Sequence, residues 1–89
     1  LPQPRRDEQY ELALEVRDDA GTRVLLASAL LGLDRPSEAK AQAALAAELV
    51  PLDPVPWEIM AECSRQLGDD VEATRCLNEA KKRRAEGDF

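Results

Sequence analysis

Eighty-nine residues make one small domain, which buries roughly 60–65% of the surface its unfolded chain would expose. Twelve basic residues stand against eighteen acidic ones, a net charge of −6 that argues against a general nucleic-acid binder. Two cysteines and no histidine argue against a disulfide framework or a zinc site, and no apolar run approaches the ~20 residues of a membrane span.

The charge is unevenly spread: residues 7–72 hold fifteen acidic and five basic side chains, net −10, whereas residues 73–89 are net +2. The chain does not begin with Met, and no signal-peptide pattern precedes its longest apolar run, residues 24–33. It is therefore expected to be a piece of a longer protein. The compartment stays open, with the cytoplasm slightly favoured.

Residues 1–6, with two prolines and no periodicity, read as a linker or a disordered end. Over residues 7–17 two readings compete. Tyr10, Leu12, Leu14 and Val16 alternate as a strand would, yet Tyr10 with Ala13 and Leu14, and Leu12 with Val16, sit at helical spacings. The abundance of Glu, Leu and Ala, and the lack of a second strand-like run to pair with, favour the helix. Asp19 or Thr22 is expected to cap the next helix, which runs to Leu31 with Gly32 available for a left-handed terminus. Asp34, Arg35, Pro36 and Ser37 start a central helix. Its stretch over residues 36–50 holds six alanines and no glycine, and Pro51 stops it. Asp53 and Pro54 start a third long helix, whose first turn also accommodates Pro56. Gly68 closes it, Asp69 or Asp70 caps the last helix, and Gly87 ends that one. The expected fold class is all-α, with about five helices joined by short turns.

Residues 20–51 laid over residues 54–85 give five identities at a period of 34: Ala27/Ala61, Leu33/Leu67, Glu38/Glu72, Ala39/Ala73 and Ala46/Ala80. Three are Ala–Ala pairs at places where two helices of a hairpin need small side chains. Trp57, Met60, Ala61 and Ser64, then Gly68, then Ala73, Leu77 and Ala80, give the order aromatic, large, small, glycine turn, small, large, small. The first copy has Arg23 in the aromatic place but keeps Leu26, Ala27 and Leu30, followed by Ala39, Ala43 and Ala46. This pattern resembles the tetratricopeptide repeat (TPR). The resemblance implies antiparallel helix hairpins stacked as a short right-handed solenoid. Its units would be a partial repeat at 7–17, a first repeat at 20–51 and a second at 54–85, within one domain spanning 7–86. It also implies a non-enzymatic scaffold that binds protein partners.

Several residues invite a sharper reading. Trp57 is either a stacking platform for a ligand or, as the resemblance implies, the packing aromatic of its repeat. Cys63 and Cys76 are either a redox pair or two small semi-buried thiols, Cys63 lying about 120° from the expected packing face at 100° per residue. The basic run Lys81, Lys82, Arg83 and Arg84 spreads around a helix and complements the dipole of its last turn. The pairs Asp18–Asp19 and Asp69–Asp70 fall where helix starts want a capping carboxylate. No catalytic set, metal spacing or cofactor loop is legible, so no enzyme, metal or cofactor is expected.

The helix at 23–33 stands apart because it is apolar nearly all round. With Leu26, Ala27 and Leu30 turned to the central helix, Val24, Leu25, Ser28 and Leu31 occupy a further side, and Glu58, Ile59, Glu62 and Arg65 are their counterparts one period later. In the family this side lines a concave groove. The expectation is therefore an apolar–acidic groove for a basic, amphipathic peptide or helix. The alternative is a self-assembly element that homo-oligomerises through its open ends. Ala47 is expected to be more exposed than Ala39 or Ala73.

Overall fold

A computed structural model describes residues 19–87, and these form four α-helices: α1 (Ala20–Gly32), α2 (Pro36–Leu49), α3 (Val55–Gln66) and α4 (Asp70–Gly87). The linker expected at 1–6 and the helix expected at 7–17 lie outside the described residues. No described residue is in a strand.

Side-chain caps fix two of the four helix starts, and a carboxylate just before the N-cap supports a third. The Asp19 carboxylate accepts the Thr22 N–H at 2.7 Å, so Asp19 rather than Thr22 caps α1. Asp53 accepts the Val55 N–H at 2.9 Å, and Pro54 and Pro56 then sit at the start of α3, where a missing N–H costs nothing. Asp69 accepts the Glu72 N–H at 3.1 Å, which leaves Asp70 as a first-turn carboxylate of α4. α2, preceded by Arg35, has no such carboxylate contact and relies on Pro36.

The two tight turns are copies of each other. After α1, the Asp34 N–H reaches the Leu31 carbonyl at 3.1 Å and the Arg35 N–H the Leu30 carbonyl at 2.9 Å. After α3, the Gly68 N–H reaches the Arg65 carbonyl at 3.1 Å and the Asp69 N–H the Ser64 carbonyl at 2.8 Å. Each pair of bonds satisfies the last free carbonyls of its helix and needs one left-handed residue. That residue is Gly68 (φ 80°) in the second copy and Asp34 (φ 60°) in the first. The expectation for Gly32 is thereby corrected: α1 runs on through it, and the left-handed position falls two residues later. Asp is tolerated there because its short polar side chain suffers less in this region than others do.

α1 packs on α2, α2 on α3 and α3 on α4, with a lighter contact between α1 and α3. Two helical hairpins thus stack through α2 and α3. The buried interior is built largely from small side chains: Ala27 from α1, Ala39, Ala43, Ala46 and Ala47 from α2, Ala61 from α3, and Ala73 and Ala80 from α4, with Met60, Cys63 and Cys76 among them. Small residues on facing helices let the backbones approach closely. Leu26 and Leu30 are half-buried.

Burial corrects three expectations. Ala47 is buried in the same apolar cluster as Ala27, Ala43, Met60, Ala61 and Cys76, because α3 lies across that side of α2. Leu77 instead keeps 46% of its surface exposed. It stands one period after the fully buried Ala43, but among the described residues no helix follows α4 to cover it. Cys63 and Cys76 are fully buried rather than semi-buried.

Candidate functional site

Trp57 is half-buried, packed against the apolar cluster and flanked by two cations. The guanidinium carbon of Arg83 lies 4.5 Å from its ring centroid and that of Arg75 lies 5.7 Å away. Both are within cation–π range. The ring is therefore engaged from within the fold. One period earlier the aromatic is replaced by Arg23, whose guanidinium donates to the Gln42 side chain at 2.7 Å. Gln42 in turn stands where the second copy has Cys76. The places held by Trp57 and Cys76 in one repeat are thus held in the other by a hydrogen-bonded polar pair that ties the first helix of the hairpin to the second.

The basic run is also turned inward at one end. Arg83 donates to the Pro51 carbonyl at 2.6 Å and to the Glu79 carboxylate, so α4 is anchored to the turn that links the two repeats. Arg84 donates to Glu58 on α3, with its Nε at 2.6 Å. Lys81 and Lys82 are exposed.

The two cysteines are free thiols. Burial is the main cause that pushes both thiols above the ordinary range, helped by Glu62 at Cys63 and by Glu72 at Cys76. Protonated, buried thiols are poor nucleophiles and poor metal ligands. Among the described residues no group of three or more Cys, Asp or Glu side chains could hold a metal ion. No helix there is long and apolar enough to cross a membrane.

The eight groove residues separate into two sets. Val24, Ser28 and Leu31 on α1, and Glu58, Glu62 and Arg65 on α3, are exposed or half-exposed and follow one another at matching places of the two repeats. Ile59 departs from the expectation: it packs against the apolar cluster. It belongs with Pro56 and Cys63, both fully buried, on the side of α3 that meets α2, because positions 56, 59 and 63 follow one helical face. Leu25, one period earlier, shares the place of Ile59 but is 73% exposed.

The acidic half is not free either. Glu62 is gripped by Arg65, whose Nε lies 3.0 Å from one carboxylate oxygen, and by the Gln66 amide at 3.1 Å. The Arg65 hydrogen bonds, with help from Gln66, hold its carboxyl down at about 2. Arg84 pairs with Glu58 from the neighbouring helix. This pairing was invisible in the sequence, because its partners are twenty-six residues apart.

Paired hairpins with identical turns, small interfacial residues and one stacked interface define a tetratricopeptide-repeat-like helical fold. A solved structure described as MamA MSR-1 C2, from a TPR-containing protein, is similar to it with a TM-score of 0.80 at 23% sequence identity. The match covers 92% of this chain and 52% of that one, so the chain spans about half the length of that structure. The sequence matches no family model and no curated protein.

Proposed function

We propose that the chain is a non-enzymatic protein-interaction scaffold, a short right-handed TPR-like solenoid that takes a basic, amphipathic peptide or helix along α1 and α3. The observation that supports this reading most directly is the repeated open face. Val24, Ser28 and Leu31 recur one period later as Glu58, Glu62 and Arg65, leaving an uncharged strip beside a charged one. Apolar side chains of the ligand would lie along Val24 and Leu31, where buried area supplies about 25 cal/mol per Å². A ligand Lys or Arg would compete with Arg84 for Glu58 and with Arg65 for Glu62, which sets orientation and association rate more than affinity. The net −10 of residues 7–72 favours such a partner at long range.

Fluorescence anisotropy with a labelled amphipathic helix carrying Lys on one face tests the reading. Leu31→Asp is expected to abolish binding with helicity unchanged, and Glu58→Lys with Glu62→Lys to slow association and flatten its salt dependence. Binding that survives Leu31→Asp and all charge reversals would mean that the peptide does not use this face.

A further inference from the structure

Two carboxylates stand on the open face of α3, and the fold treats them differently. Glu62 has both oxygens engaged from its own helix. The Arg65 Nε donates to Oε2 at 3.0 Å, while Oε1 accepts from a terminal nitrogen of Arg65 and from the Gln66 amide at 3.1 Å. Glu58 is held from another helix and through one oxygen. Arg84 donates to its Oε1 from Nε, at 2.6 Å, and from a terminal nitrogen as well. Among the described residues nothing donates to Oε2 of Glu58. The pair lies at the surface, with the Glu58 side chain 37% exposed and that of Arg84 59%.

The antiparallel hairpin makes this pair. Glu58 lies in the first turn of α3 and Arg84 in the last turn of α4, so each sits at the helix end whose dipole suits its charge. The neighbouring Arg83 is fastened to the Pro51 carbonyl and the Trp57 ring, which holds the end of α4 beside the start of α3. Arg84 is thus presented to Glu58 by the packing of its helix.

A carboxylate with one oxygen engaged still has room for a further donor on the other. A lysine ammonium is a compact charge with three rotatable donors, and one oxygen is enough for it. An arginine fork makes its strong contact through two parallel bonds to both oxygens, and Arg84 stands on one of them. We propose that Arg84 makes Glu58 a receptor for a ligand lysine in preference to an arginine, an inference that rests on the reading of α1 and α3 as a ligand face. The ligand ammonium docks on Oε2 with Arg84 in place, whereas a ligand guanidinium has to displace Arg84 first. Glu62, engaged through both oxygens, is open to neither cation until Arg65 moves. Arg84 is then a specificity-determining residue supplied by α4, outside the two helices that carry the face.

The test titrates the full 89-residue chain into the labelled amphipathic helix carrying Lys, and into the same helix with every Lys replaced by Arg. The two helices have equal charge and similar helix propensity, so the ratio of their affinities isolates the choice of cation. The unmodified chain is expected to favour the lysine helix by about two- to fivefold, the cost of displacing an exposed ion pair. Arg84→Gln is expected to reverse the preference, because the arginine fork then finds both oxygens. Glu58→Gln, which probes the same pair from α3 should Arg84→Gln lose helicity, is expected to level the two helices. Glu62→Gln is expected to leave the preference as it is. If Leu31→Asp abolishes binding of both helices, the ligand face stands, and equal affinities or a ratio that Arg84→Gln does not move would overturn this proposal alone. Failure of both helices to bind, or binding that survives Leu31→Asp, would remove the ligand face and the proposal with it.

Discussion

Arg83 joins two parts of the molecule that are far apart in sequence: its guanidinium covers the Trp57 ring at 4.5 Å and donates to the Pro51 carbonyl at 2.6 Å. One side chain of α4 thus holds both the aromatic of its own hairpin and the turn between the hairpins. The Arg83 side chain is largely buried, although its bond to the Pro51 carbonyl lies at the surface. Arg83→Ala is expected to cost about 1–2 kcal/mol, combining a partly desolvated cation–π contact with a charged hydrogen bond. Arg83→Lys should recover only part of this, since an ammonium cannot cover the ring and reach the carbonyl as a planar fork does. Urea denaturation followed by circular dichroism measures both; an unchanged midpoint for Arg83→Ala would show that the anchor is dispensable.

The matched turns give a prediction of opposite signs. Asp34→Gly removes a side chain from a left-handed residue and should stabilise the fold by about 0.5–1 kcal/mol. Gly68→Ala should destabilise it by about 1–2 kcal/mol. A Cβ at Gly68 would meet nothing within 4 Å, so the cost is one of backbone conformation and not of a clash. Thermal melts of the two variants should move in opposite directions, and a shift of both the same way would break the equivalence of the turns.

Replacing a buried alanine of α2 or α4 by leucine should overpack a helix contact. Ala39→Leu and Ala73→Leu are expected to cost roughly 1–3 kcal/mol each. Ala47→Leu should cost a similar amount, because Ala47 shares a cluster with Met60 and Ala61 under α3. The exposed Ala44 serves as the control and should tolerate leucine within about 0.5 kcal/mol. If Ala39→Leu melts with the unmodified protein, the hairpin interface is wider than described.

Acid should weaken the fold in a defined window. Glu62 and Glu72 are held at about 2, from an ordinary 4.5, chiefly by hydrogen bonds from Arg65 and Arg75. A carboxylate whose folded-state value is depressed contributes stability that is complete above its unfolded value, and that contribution disappears as pH falls through the folded one. The melting temperature is therefore expected to hold from neutral pH down to 4.5 and to decline between 4.5 and 2. Both pairs are solvent-exposed, so the decline should be modest and reduced by salt. Glu72→Gln should flatten it. A melting curve that does not respond between pH 4.5 and 2 would show that these pairs contribute nothing to stability.

What the sequence determined by itself is local. Helix starts follow from Asp19, Asp53 and Asp69, whose carboxylates accept backbone N–H groups within three residues, and α2 is confined between Pro36 and Pro51. Ala39, Ala46, Ala73 and Ala80 announce a close helix pair because only small side chains allow one. The tertiary structure decided everything that depends on a neighbour distant in the chain. Ala43 and Leu77 stand one period apart, yet the first is sealed and the second half-exposed, because α3 follows α2 and covers it whereas no described helix follows α4. Ile59, partly buried, packs on the apolar cluster for the same reason, and Ala47, expected to be exposed, is buried in it. The pairing of Arg83 and Arg84 was equally hidden, since a run of four cations reads as solvated until the helix that carries it is laid against Trp57, Pro51 and Glu58. Capping and turn chemistry act over a few residues and are written in order along the chain, whereas burial and charge pairing are properties of pairs that only folding brings together.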